Sequence, residues 1–203
     1  MDFSQSLQCN LANGFPQAFE ADNLGMLAYD CAIRWGLYAG YPHHEASIRT
    51  KVMTVKINIR RLVKEDHVSW KELFAGYLEF YEAKVPEQVQ EKSFQALCDP
   101  DQIDRYGLIA QTQGEVLGIA NIIIHAHNWH AGNVTYLQDL FVQPHCRGQG
   151  VGRALIAQIY KDADEEKRPY VYWLTQSFNH DARKLYDQVA SLTPFIKYQR
   201  GSS

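Results

Sequence analysis

The stretch Gln143-Pro144-His145-Cys146-Arg147-Gly148-Gln149-Gly150-Val151-Gly152-Arg153 directly follows an apolar run, Leu140-Phe141-Val142. Glycines at 148, 150 and 152 remove the Cβ atoms that would hold a ligand away from the backbone. Backbone N–H groups at a helix N-terminus lack an intrahelical partner and carry partial positive charge. Together they form a pocket for phosphate oxygens, and Arg147 and Arg153 can add charge-assisted hydrogen bonds. The plainer alternative is a tight turn capped by glycine. Alternate glycines with flanking arginines, placed straight after an apolar run, weigh against it. Two other phosphate loops do not fit. A P-loop needs Lys-Ser/Thr after its last glycine, and Gly152 is followed by Arg153-Ala154. A dinucleotide fingerprint needs GxGxxG, whereas this loop spells GxGxG.

Such a loop works only if a strand ends and a helix begins at the right places. Val134–Val142 reads as the strand and Gly150 to Asp164 as the helix. Upstream, Thr54-Val55-Lys56-Ile57-Asn58-Ile59-Arg60 alternates like a half-buried strand. Asp66 can cap a helix carrying Trp70, Leu73, Phe74, Tyr77, Leu78 and Tyr81 on one face. Pro86 opens a second helix with Val89, Phe94 and Leu97, which Asp99-Pro100-Asp101 ends. Tyr106–Gln111 and Val116–His125 read as strands joined by a hairpin turn at Gln113-Gly114. Downstream come a strand at Tyr170–Leu174, a helix at Asp181–Ala190, and a last strand at Phe195–Gln199. The expected fold is α/β (α+β): a mixed, mostly antiparallel central sheet flanked by helices. Val134–Leu174 forms its parallel crossover.

Residues 1–52 fit this order poorly. Gly14, Gly25, Gly36 and Gly40 interrupt them, and no period of 2 or 3.6 is sustained. A helix over residues 21–39 is weakened by Gly25 and Gly36 and stopped at Tyr41-Pro42. The expectation is an N-terminal extension over 1–52, flexible or foreign to the fold, and a domain over 53–203.

The totals narrow the function classes. Hydrophobic residues make up 46% and charged residues 21%, as in an ordinary globular protein. The net charge of −3 predicts no nucleic-acid footprint and is compatible with a cationic substrate. Cys9, Cys31, Cys98 and Cys146 show no CxxC spacing, which argues against structural zinc and gives no disulfide framework. His125, His127 and His130 invite a metal reading, but no carboxylate or cysteine sits at ligand spacing; no metal is expected. No apolar run approaches the roughly 20 residues of a membrane helix, and no secretory signal opens the chain. The expected compartment is the cytoplasm.

The Arg-Gly-x-Gly-x-Gly spacing resembles the pyrophosphate motif of the GCN5-related N-acetyltransferases. Leu137-Gln138-Asp139-Leu140-Phe141-Val142 looks like that family's central strand. Asn179-His180-Asp181-Ala182-Arg183-Lys184-Leu185-Tyr186-Asp187 resembles its second motif, and Val55–Asp66 its opening strand and turn. The match spans about residues 53–200. Tyr77-Leu78-Glu79-Phe80-Tyr81 and the two later runs look closest to diamine, polyamine and histone/polyamine members.

The resemblance implies acetyl-CoA as co-substrate. Backbone groups of Leu140, Phe141 and Val142 would pair with the pantetheine arm as an added strand does. Arg147, Gly148, Gln149, Gly150, Val151, Gly152 and Arg153 would hold the pyrophosphate, and Asn179 the pantetheine or a water. From the helix alone Tyr186 reads as a core aromatic; the resemblance places it where the family has its general acid. In the polyamine branch a Glu commonly stands at the position of Gln138, and Gln cannot take a proton. Strand alternation points Asp139 to the other face, as a structural hydrogen-bond partner. A water chain, Glu79 or Glu82 are open as substitutes; the two glutamates are equally open as attractors of a polyamine or as solvated helix charges, and Tyr81 and Gln138 complete the substrate candidates. Three functions follow: acetylation of a small polyamine, diamine or amino-acid-like amine; acetylation of a protein lysine or N-terminus; or acetyl-CoA sensing without turnover. A homodimer is an option, with Phe195–Gln199 as a candidate edge.

Overall fold

The computed structural model describes residues 56–201. The extension over residues 1–52, and Thr54 and Val55 of the expected first strand, lie outside them. Five strands follow one another across a single sheet in chain order. They are β1 (Asn58–Arg61), β2 (Arg105–Thr112), β3 (Glu115–Ala126), β4 (Asn133–Val142) and β5 (Val171–Trp173). The first three pairings are antiparallel and β4–β5 is parallel. Helices α1 (His67–Phe80) and α2 (Glu87–Cys98) lie between β1 and β2 in sequence. Helix α3 (Val151–Glu165) makes the crossover, and α4 (His180–Val189) follows β5.

The period of two along β2 and β3 divides the core between the sheet's faces. Ile109 and Ile119 pack with Trp70, Leu73, Phe74, Phe94 and Leu97 of α1 and α2. Leu108, Ala110, Ala120 and Ile122 pack with Leu155, Ile156 and Ile159 of α3. In α3 the buried positions 151, 155, 156, 159 and 163 recur at helical spacing, so one stripe seats the helix on the sheet. Gln113 and Gly114 both take positive φ, 46° and 88°, the left-handed pair that a tight two-residue hairpin needs.

Two expectations need correction. Asp66 does not cap α1 with its side chain. Its carboxylate turns back to accept from the Val63 N–H at 2.9 Å and from the Arg60 guanidinium at 2.6 and 2.8 Å. The arginine on β1 outcompetes the helix N–H groups, and it holds the Asp66 carboxyl below its usual range. The expected strand at Phe195–Gln199 is absent. Phe195, Ile196 and Tyr198 are 72%, 75% and 89% exposed. An apolar run becomes a strand only when another edge accepts its backbone, and no strand among the described residues pairs with this one.

A close approach fixes where β4 sits. A Cβ at Gly118 would lie 2.6 Å from the Phe141 carbonyl oxygen. Gly118→Ala is therefore expected to destabilise the protein by about 1–3 kcal/mol through overpacking. A lower thermal midpoint would show this; an unchanged one would mean that β3 and β4 have slack to separate.

Candidate functional site

β4 and β5 pair only over Thr135–Leu137 and Val171–Trp173. Beyond Leu137 the two strands part, and among the described residues no strand pairs with the rest of β4 on that side. The register between β3 and β4 slips where Asn121 faces Asp139 and Ile122 faces Leu137, so Gln138 is the extra residue of a bulge. The bulge re-aims the strand just where the gap opens. Gln143 N–H donates to the Leu117 carbonyl at 2.9 Å. By alternation, Phe141 also turns its backbone toward β3, consistent with its carbonyl lying against Gly118. Leu140 and Val142 then present their backbone groups to the open side.

One of these groups is already engaged: Arg147 Nε donates to the Val142 carbonyl at 3.2 Å. The Phe141 side chain, with Arg147 5.7 Å from its ring centre, forms part of the wall. Of the three residues expected to present backbone, Leu140 and Val142 do so. Phe141 contributes a side chain instead, because its amide and carbonyl face β3.

The gap widens into a cleft of about 570 Å³. Leu140, Phe141, Val142, Arg147, Gly148, Gly150, Val151, Gly152, Arg153, Asn179 and Tyr186 all line it. Gln149 does not; its amide turns away to the His145 carbonyl at 3.0 Å. Gly150 sits at the N-cap of α3 with φ 86°, a left-handed conformation that favours glycine. A Cβ built on Gly148 or Gly150 would meet nothing within 4 Å. The loop thus leaves room beside unpaired helix N–H groups, the arrangement that a pyrophosphate needs. Arg153 is hydrogen-bonded to Gln188 of α4, which holds its guanidinium at the rim. Asn179 rests on Thr175 at 3.0 Å.

Tyr186 projects from α4 into the same cleft, with its ring 5.3 Å from that of Trp173. Burial pushes its phenol up to about 12, with Tyr81 nearby adding to the shift, so it holds its proton at neutral pH. Tyr77 of α1 and Tyr81, just past its end, complete the wall, their ring centres 4.9 Å apart. Tyr77 was foreseen only as a residue of the apolar helix face. Helical spacing could show that it turns inward, but not that it lines the cleft.

The remaining candidates lie elsewhere. Glu79 lines a separate depression of about 410 Å³ beside Glu72, Phe80, Phe141 and Arg147. Glu82 is exposed and Gln138 is exposed at its bulge; neither lines the cleft. At the far end of β3, His125 Nε2 is 2.9 Å from the Tyr172 hydroxyl. His127 falls beyond the end of β3 and packs with Trp129, His130 and Tyr170. His125 and His127 therefore do not share a strand face. Among the described residues, the potential metal ligands that do converge are Glu115, His145 and Cys146, within 4.8 Å of one another.

No helix among the described residues is long and apolar enough to cross a membrane. The sequence pattern of the acetyltransferase (GNAT) family matches residues 70–190. A D-amino-acid N-acetyltransferase of Saccharomyces cerevisiae is 34% identical over 152 residues, covering 74% of this chain and 94% of its own. An uncharacterised N-acetyltransferase of Bacillus subtilis is 29% identical over 132 residues, 65% of this chain and 87% of its own. Among solved structures, an aminoglycoside N-acetyltransferase in complex with CoA has the same fold, with a TM-score of 0.63 at 19% identity over 73% of this chain and 97% of its own. The chain therefore belongs to the acetyltransferase (GNAT) family and is an acetyl-CoA-dependent N-acetyltransferase.

Proposed function

We propose that the protein moves the acetyl group of acetyl-CoA onto the primary amine of a small, amino-acid-like substrate, with Tyr186 as general acid. The observation that carries this reading is the cleft itself. It runs from the α3 N-terminus, along the open edge of β4, to Tyr186, Tyr81 and Tyr77. The pyrophosphate would rest on Gly148–Gly152 between Arg147 and Arg153. The pantetheine amides would meet Leu140 and Val142, and the thioester would then end near Tyr186. The amine attacks the carbonyl carbon, the C–S bond breaks, and the departing sulfur takes the Tyr186 proton. Burial disfavours both the thiolate and the phenolate, so their proton affinities rise together and the transfer remains feasible.

The relative named for D-amino acids supports an amino-acid-like amine. A polyamine would want several anionic partners. Among the residues lining the cleft, only Asp181 is acidic, and it is paired with Lys184 at 2.9 Å. CoA release measured over D- and L-amino acids, diamines, polyamines and lysine peptides tests the assignment. Turnover with amino acids supports it. Turnover with polyamines alone, or with peptides alone, would sink it.

A further inference from the structure

Two thiols are free among the described residues, Cys98 and Cys146. Cys98 donates to the Phe94 carbonyl, one turn back on α2, at 2.8 Å. Cys146 is 4% exposed, and no hydrogen bond among the described residues engages its sulfur. A buried free thiol often serves only as a small hydrophobe, and Cys146 belongs to the same core cluster as Val151 and Leu155. Its company sets it apart. The Glu115 carboxylate, the His145 imidazole and the Cys146 sulfur each offer a ligand atom within 4.8 Å of the other two. Glu115 Oε1 and His145 Nε2 are 3.0 Å apart, and an exposed pair of that kind contributes little by itself.

The backbone holds the three together. Glu115 opens β3 directly after the Gln113-Gly114 turn. His145 and Cys146 lie in a one-turn helix, Pro144–Cys146. Gln143, just before that turn, ties it to β3 twice. Its N–H donates to the Leu117 carbonyl at 2.9 Å, and its side-chain amide to the Val116 carbonyl at 2.7 Å. The Cys146 N–H closes the turn on the Gln143 carbonyl at 2.9 Å. These pins stand beside the ligands in sequence, so the donor atoms converge before any ion arrives.

A sulfur, an imidazole nitrogen and a carboxylate oxygen form a donor set for zinc, and three protein ligands leave one tetrahedral position for water. Magnesium and calcium take oxygen ligands and have no use for the sulfur. Zinc bonds of about 2.0–2.3 Å in a tetrahedron set the ligand atoms roughly 3.4–3.6 Å apart. The present spread, from 3.0 Å to no more than 4.8 Å, brackets that separation. The His145 and Glu115 side chains are 61% and 56% exposed, free to turn through the remaining distance while the sulfur stays fixed in the core.

We propose that Glu115, His145 and Cys146 bind one Zn²⁺ ion at the foot of the loop that begins at Arg147, with water as the fourth ligand. The ion enters between the exposed glutamate and histidine. The thiol releases its proton to solvent and binds as thiolate, and the imidazole binds neutral through Nε2. Burial and the Glu115 charge push the Cys146 thiol upward, so its proton stays until a cation replaces it. The ion then turns Glu115 from a repelling neighbour into a fellow ligand. It clamps the start of β3 to the turn before Arg147 and takes no part in acetyl transfer, so the site stands apart from that reading. Sequence spacing gives no hint of it, since Glu115 stands 30 positions before His145.

The test uses the full-length protein, stripped by a chelator and kept reduced, with Zn²⁺ calorimetry, melting and Co²⁺ absorbance. Wild type should bind Zn²⁺, melt higher with it, and give a thiolate-to-cobalt charge-transfer band. Glu115→Ala and His145→Ala, both at exposed positions, should each weaken one equivalent of Zn²⁺ by more than the roughly 10–100-fold that loss of an outer partner costs. Both should also lose the rise in melting temperature. Cys146→Ser should lose the charge-transfer band. His127→Ala, outside the cluster, should bind Zn²⁺ as wild type does. Zn²⁺ held as tightly by Glu115→Ala and His145→Ala as by wild type would be an adventitious ion only, and would overturn the proposal. So would a Co²⁺ spectrum without the thiolate band, or a wild type that binds no Zn²⁺. Should Cys146→Ser fail to fold, the two exposed variants decide alone.

Discussion

Replacing Gly150 with aspartate is expected to abolish acetyl-CoA binding while leaving the protein folded. Two effects combine. At φ 86° any L-residue is strained, at about 1–2 kcal/mol. The new Cβ meets nothing within 4 Å, so the protein itself accommodates it. The side chain instead enters the space proposed for the pyrophosphate. Two like charges about 4 Å apart repel by roughly 4 kcal/mol at an effective dielectric near 20, or about a thousandfold in affinity. Gly150→Ala separates the two effects. It should melt at about the same temperature as the aspartate variant but bind acetyl-CoA with an intermediate constant. Thermal melting reads the first and isothermal titration the second. Wild-type affinity in Gly150→Asp would move the phosphate site elsewhere.

Tyr186→Phe should lower kcat by about 10²–10³-fold, within the usual range for a positioned acid. The acetyl-CoA constant should change little, since the ring stays against Trp173 and only the hydroxyl is lost. Because burial raises the phenol to about 12, any alkaline limb that Tyr186 sets in the rate profile lies near that pH. An alkaline fall at lower pH should therefore persist in the phenylalanine variant. Full activity in Tyr186→Phe would remove the acid assignment and return the residue to the core.

Much of this was legible before the fold. The glycine spacing from 148 to 152 and the apolar run ending at Val142 placed the loop at a strand end and helix start, where the structure has it. The Gln113-Gly114 hairpin was readable because its turn chemistry is local. The bulge at Gln138 was not, because a slip in register depends on β3 as much as on β4. That slip sets which backbone groups face the open side, and so separates Leu140 and Val142 from Phe141. The network of Trp70, Asn121 and Asp139 joins residues up to 69 positions apart on three elements, beyond the reach of any local pattern. Asp66 and Phe195–Gln199 failed for the same reason. The partner that decided each lay elsewhere in space: Arg60 for the first, and an edge that no strand among the described residues offers for the second.

The central claim is that the cleft delivers acetyl groups to a small amine. Mass spectrometry of the products after incubating the wild-type protein with acetyl-CoA and a mixture of D-amino acids tests it directly. The account predicts N-acetyl amino acids formed in step with CoA, and their loss in Gly150→Asp. Acetyl-CoA bound and left intact, with no acetylated amino acid formed, would contradict it.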